Sequence, residues 1–145
     1  QKNWLINTMQ QSDATYKIIF SPTPIVGPDR GAKADNHSNL AFKTEGDWAR
    51  ELLSGQKAIV VNGDRHWQYV SKHGKTGTYE FACGPGSDEH AGGWKKDEIL
   101  PEHEYLNIIG GFLQVEVDRK DDQVEIVFNH VSVDGKKLSE KRFEG

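Results

Sequence analysis

Asp64 and His66 are two residues apart, and their types and spacing could hold a metal. A carboxylate oxygen and an imidazole nitrogen suit a divalent or trivalent ion of intermediate hardness. Asp-x-His is a very short pattern, however, and a polar β-turn with an exposed His has the same spelling. The pair must be positioned by the stretch KAIVVNGDRHWQY, residues 57–69. Ala58, Ile59, Val60 and Val61 form a short, mostly β-branched run, which suits a strand covered on both faces in a sheet flanked by helices. Asn62-Gly63 ends the run, and Gly63 is the residue expected to let the backbone turn sharply. Asp64 and His66 then fall at the end of the strand, where α/β sheets gather their ligands. Side chains alternate along an extended chain, so Arg65 is expected to point away from the pair as a surface partner.

Other elements frame this strand. Leu5 and Met9 lie at helical spacing beside Trp4 and predict a short amphipathic helix over residues 3–12. Tyr16 to Phe20 reads as the first strand, stopped by Pro22 and Pro24. Residues 25–43 form a long polar loop carrying Asp29, Arg30, Lys33, Asp35, Asn36 and His37. Thr44 to Asp47 has the form of a capping box, opening a helix that buries Trp48, Ala49, Leu52 and Leu53 and stops at Gly55. A further extended segment begins at Trp67, Tyr69 and Val70, and Thr78 to Cys83 is another strand. Gly84 to Trp94 is a second long loop, Gly-rich and containing His90. It lacks the Lys-Ser/Thr ending of a nucleotide P-loop. The tail alternates through Leu113, Val115 and Val117, then Val124, Ile126 and Phe128. The parity shift to Val131 and Val133 predicts a bulge near Asn129-His130. Asp134-Gly135 is a hairpin signal, and His103 and His130 are expected to be structural or exposed.

VVNGDRHWQ resembles the last metal motif of the alkaline-phosphatase-D-like (PhoD-like) branch of the calcineurin-type metallophosphoesterases. In that branch a buried strand leads into Gly-Asp-x-His, where the wider superfamily has Gly-His-x-His. QKNWL, DATYKIIFSPTP, DNHSNLAFKTEGDWARELL, and GGFLQVEVD with its strand pair closing on DGK agree in order and spacing. The resemblance takes in most of the chain, yet only the C-terminal part of the family's catalytic domain. The earlier Asp-x-His, Gly-Asp and Gly-Asn-His-Asp/Glu motifs do not occur. Ser21-Pro22-Thr23-Pro24 stands where many members carry a ligand His. The resemblance implies an α/β fold, the C-terminal part of a four-layer α/β/β/α sandwich with mixed sheets, whose missing N-terminal part is the expected partner. It further implies hydrolysis of phosphate mono- or diesters by a metal pair, with Fe, Ca, Zn and Mn not distinguished. Asp64 and His66 would each supply a ligand, to different metals of the pair. Asp35 and His37 would lie near substrate, set against a solvated surface loop; the Gly84–Trp94 loop, read from its own residues, is either a rim with His90 or Trp94 facing substrate or a flexible connection. A periplasmic or extracellular address is plausible on the resemblance alone.

Composition bounds these readings. The 145 residues are expected to form a single domain, 1–145, because the length supports one real core and no linker or repeat divides it. A net charge of −4 provides no overall field for nucleic acid or anionic membrane. The one cysteine, Cys83, excludes an intrachain disulfide framework. No apolar run reaches transmembrane length. Two other functions remain in view. One is an inactive fragment with an incomplete metal site, since a catalytic zinc is typically held by three protein ligands plus water. The other is an interaction module with Trp67, Tyr69 and Trp94 as an aromatic face for carbohydrate or peptide. Strand edges left open by truncation are expected to favour self-association.

Overall fold

The chain begins with helix α1, Lys2–Gln11, whose Met9 is buried, and passes into strand β1, Lys17–Ser21. An irregular stretch follows, closed by a 3-10 turn over Leu40–Phe42 that runs directly into helix α2, Lys43–Gly55. The expected capping box at Thr44 is not formed: the helix starts at Lys43 and no side chain caps it. Asp47 instead accepts from Arg50 Nη2 at 2.7 Å and pairs with Lys43. The helix face against the sheet also differs from the apolar stripe expected. Leu53 is buried as anticipated, but Gly46 and Arg50 share that face, while Trp48 and Leu52 are only half-buried. A Cβ at Gly46 would sit 1.9 Å from the His37 carbonyl oxygen, so only glycine lets the helix approach the loop this closely.

Strands β2 (Ala58–Asn62), β3 (Gln68–Lys72), β4 (Tyr79–Cys83) and β5 (His103–Asn107) complete a five-stranded sheet in the order β1-β2-β4-β3-β5. The β1-β2 and β2-β4 pairs are parallel, and β3 is antiparallel to both its neighbours. All five residues of β2 are buried, as a β-branched run in a covered central strand requires. The remaining strands, β6 (Gly111–Lys120), β7 (Gln123–Ser132) and β8 (Lys137–Glu144), form a separate antiparallel meander. Its β7-β8 register shifts between His130 and Val131, at the expected bulge, and Gly135 turns the hairpin at φ 78°.

These elements make three layers, described for residues 1–145 by a computed structural model. On one face of the large sheet Ala58 and Val60 pack with Met9, Ile25 and Leu53 under the helices. On the other, Ile59, Val61, Val70 and Phe81 meet Ile126 and Phe128 of the meander. Phe81 and Phe128 stack with ring centroids 4.2 Å apart. The architecture is therefore mixed α/β with two sheets and few helices. No helix is long and apolar enough to cross a membrane.

His130 lies inside this inter-sheet core, stacked on Tyr105 at 5.0 Å. Its Nε2 is 2.9 Å from the Ala82 carbonyl and donates to it, while the buried Nδ1 has no partner. Burial pushes its pKa from 6.5 down to about 4, against a smaller opposing effect of the Ala82 bond. The unfolded imidazole thus takes up a proton that the folded one refuses. Stability should be present in full above the unfolded value and fall as the pH drops from 6.5 through about 4, by up to about 3 kcal/mol. Urea unfolding of wild type and His130→Phe at neutral and acid pH checks this. The acid loss should be smaller in the variant by about 2 kcal/mol, and equal losses would remove His130 as the cause.

Candidate active site

Because β1, β2 and β4 are parallel and β3 runs back between β4 and β5, one edge of the sheet collects the loops leaving β1, β2, β4 and β5. Asp64 and His66 stand at that edge, both exposed. The sharp turn falls on Asp64 itself, at φ 62°, and not on Gly63, whose N–H continues the β1-β2 ladder by donating to the Ser21 carbonyl at 3.2 Å. Aspartate is among the few residues that enter the left-handed region without glycine's freedom. Backbone strain of this kind gathers at functional sites.

Arg65 reverses the sequence expectation. Its side chain is 0% exposed, folded beneath the turn into a cluster of carboxylates. Nε and Nη2 donate to Asp29 Oδ2 at 3.0 and 2.7 Å, and Nη2 also reaches Asp35 Oδ1 at 2.9 Å. Nη1 pairs with Asp64, whose side chain remains 56% exposed. Asn36 Nδ2 donates to both Asp29 and Asp35 at 2.8 Å. Burial alone would lower the Arg65 pKa, but Asp29 and Asp35 outweigh it and hold it above its ordinary value. The bond from Asn36, assisted by Arg65 against partial desolvation, lowers that of Asp35. Side-chain alternation does not carry through this turn because the left-handed residue at Asp64 breaks the extended chain.

The long loop carrying Asp29 is held to the sheet by Glu80 on β4, a fully buried carboxylate. Its Oε2 accepts the N–H groups of Ile25 and Val26 at 2.7 and 2.8 Å, and Oε1 accepts that of Gly27 at 2.9 Å. Tyr69 Oη donates to Oε1 at 2.6 Å and accepts from Asn62 Nδ2 at 2.7 Å. Burial raises the Glu80 pKa, opposed by the four donated bonds. Glu80 is not among the site residues expected from the sequence; its signal there is a single charge amid the apolar residues of Tyr79–Cys83.

The structure brings Asp64 and His66 to one polar hollow of about 340 Å³, which Arg30, Lys33, Arg65, Trp67, Gly92 and Gly93 also line. Asp35 touches its floor through Arg65. His37 and His90 do not line it: His37 lies 3.5 Å from Glu45 and against Phe42, and exposed His90 stands 3.3 Å from Ser87 Oγ. Trp67 and Tyr69 are fully buried and Trp94 packs on Trp67 at 5.4 Å, so these three make no open aromatic face. No group of three or more His, Cys, Asp or Glu side chains converges as a metal would need. Asp64 and His66 are accessible donors of the right kind, but they do not form a complete metal site by themselves.

No protein-family model matches the chain, and no curated protein matches it. Against solved structures, it superposes on one titled "Structure of PhoD" with a TM-score of 0.60 over 99% of its length, at 15% identity. The fold is PhoD-like. The chain spans 32% of the PhoD chain, about a third of its length. At this identity the likeness concerns the fold, and the Asp64–His66 edge must be judged on its own chemistry.

Proposed function

We propose that this chain is the C-terminal portion of the catalytic domain of a metal-dependent phosphoesterase of the calcineurin type, its three layers belonging to a four-layer α/β/β/α sandwich. The observation that carries the reading is Asp64 and His66 exposed together at the loop-bearing edge of a PhoD-like sheet, beside a hollow rich in cations. In this reading each supplies one ligand to a metal pair of Fe, Ca, Zn or Mn, and the rest of the domain supplies the others. Such a pair, when bound, polarises the phosphoryl group and makes a water nucleophilic near neutral pH. This chain's own residues set the donors in place. The Asp64 turn raises the carboxylate above Arg65, and Gly92 fixes the His66 backbone by donating its N–H to the His66 carbonyl at 2.8 Å.

With two donors in hand, the isolated chain should bind metal weakly and hydrolyse nothing. Calorimetric titration with Mn and Zn is expected to show weak binding, lost in both Asp64→Ala and His66→Ala. Hydrolysis of p-nitrophenyl phosphate and its bis ester should appear only when the preceding part of the domain is joined. Metal binding indifferent to both substitutions would take these residues out of the site.

A further inference from the structure

We propose that residues 92–100 are an acid-sensitive strap beside the hollow, latched by neutral His103 and released when that imidazole takes up a proton. The strap has few holds of its own. Residues 95–99 are all exposed, and Gly93 turns the chain at φ +90°, where glycine alone enters freely. What fastens it converges on His103, a buried side chain at the start of β5. His103 Nδ1 accepts the Leu100 N–H at 3.1 Å, and the His103 N–H donates back to the Leu100 carbonyl at 2.9 Å. Trp94, at the other end of the strap, packs edge-on against the same imidazole with ring centroids 5.4 Å apart. Its Nε1 donates to the Glu98 carbonyl at 2.7 Å, which folds the strap onto itself. The strap in turn holds the site, since the Gly92 N–H bonds the His66 carbonyl at 2.8 Å and Trp94 lies on Trp67 at 5.4 Å. Opening it frees the His66 backbone and uncovers a wall of the hollow.

The bond from Leu100 decides the tautomer: Nδ1 is the acceptor, so the ring proton sits on Nε2. That nitrogen is buried without a hydrogen-bond partner, between the rings of Trp94 and Tyr69. A second proton would go to Nδ1, directly facing the Leu100 N–H. An accepted bond becomes two opposed donors, and the imidazolium finds no acceptor at either nitrogen. The surroundings do not rescue it. Glu102, in the turn before β5, is the one charge that favours the imidazolium, and burial outweighs it, so the His103 pKa lies below 6.5. On β3, burial and Glu80 keep the Tyr69 hydroxyl protonated, and the Lys72 ammonium lies over Tyr79. On β5, Glu104 is taken by Lys141 and Tyr79, and within the strap Lys95 stands 3.8 Å from Glu98. In the open strap the imidazole takes up its proton near 6.5, so the latch holds above that value and weakens as the pH falls through it. The inference needs neither a metal nor a phosphate ester and stands apart from the phosphoesterase reading.

The test is amide hydrogen exchange on the whole chain from about pH 7.5 to about pH 5, corrected for the chemical rate. The Leu100 and Gly92 amides should open well short of global unfolding and lose protection by about tenfold per pH unit below 6.5, the mark of one linked proton. His103→Asn places an oxygen near the position of Nδ1 and cannot titrate. Its strap should keep its protection at neutral pH and show no acid slope, while the amides of β7 keep the slope that His130 gives them. His103→Phe, with the ring but neither nitrogen, serves if the first variant does not fold: Leu100 should be less protected at every pH, again without slope. The strap is overturned if Leu100 and Gly92 are indifferent to pH or exchange only together with β7. It is equally overturned if the variants keep the wild-type slope.

Discussion

Glu80→Ala is expected to destabilise the chain by about 4 kcal/mol, because it strips the acceptor from four donors at once. The backbone N–H groups of Ile25, Val26 and Gly27 and the Tyr69 hydroxyl all end on this carboxylate. Water cannot replace it cheaply, since Glu80 and Tyr69 are fully buried and Ile25 and Val26 nearly so. Glu80→Gln keeps one oxygen acceptor but presents an amide to donors on the other side, and should cost roughly half as much. The loss should also be local in its first expression. Limited proteolysis ought to open residues 22–42 before the sheet, because that loop is tied to β4 through this one side chain. A Glu80→Ala chain with wild-type urea stability would show that the loop is held by its apolar contacts, and the carboxylate would lose its anchoring role.

Arg65→Ala is the second large effect, expected at about 3 to 4 kcal/mol. It removes the cation common to Asp29, Asp35 and Asp64 and leaves Asp29, whose side chain is 0% exposed, with Asn36 as its hydrogen-bond donor and only the longer 3.6 Å pairing to Arg30 against its charge. Breaking a buried pair from one side leaves the other charge poorly compensated, which costs more than the pair itself contributes. Arg65→Lys should recover less than half of the loss. An ammonium cannot reach Asp29, Asp35 and Asp64 together as the fork does. Chemical denaturation of the three proteins at neutral pH measures this directly. If Arg65→Ala falls within 1 kcal/mol of wild type, roughly the scale of a surface ion pair, the cluster is solvated in solution.

These two results would also explain how the candidate site is built. Glu80 fixes the start of the long loop, the loop brings Asp29 and Asp35 under the edge of the sheet, and Arg65 ties them to Asp64. Asp64 and His66 are thereby presented from a braced turn and not from a free one.

Much of the frame was legible in the residues themselves. The apolar run Ala58–Val61 specifies a covered strand because burial on both faces leaves no room for alternation. The 2-residue period of the tail, its parity shift at Asn129-His130 and the Asp134-Gly135 turn specify a bulged meander, for local steric reasons. Asp64 and His66 stand out as candidate donors by type and by their place after that strand. Tertiary structure decided everything that depends on which distant segments meet. Nothing local says that Arg65 turns inward, for its burial is offset by Asp29 and Asp35, some thirty-odd residues away in sequence. Nor does spacing reveal that Glu80 holds a loop more than fifty residues earlier, or that Arg30 is braced on Trp67. Apolar periodicity is written residue by residue and survives without the fold. Charge compensation in a low-dielectric interior depends on distance in space, and only the folded chain sets that distance.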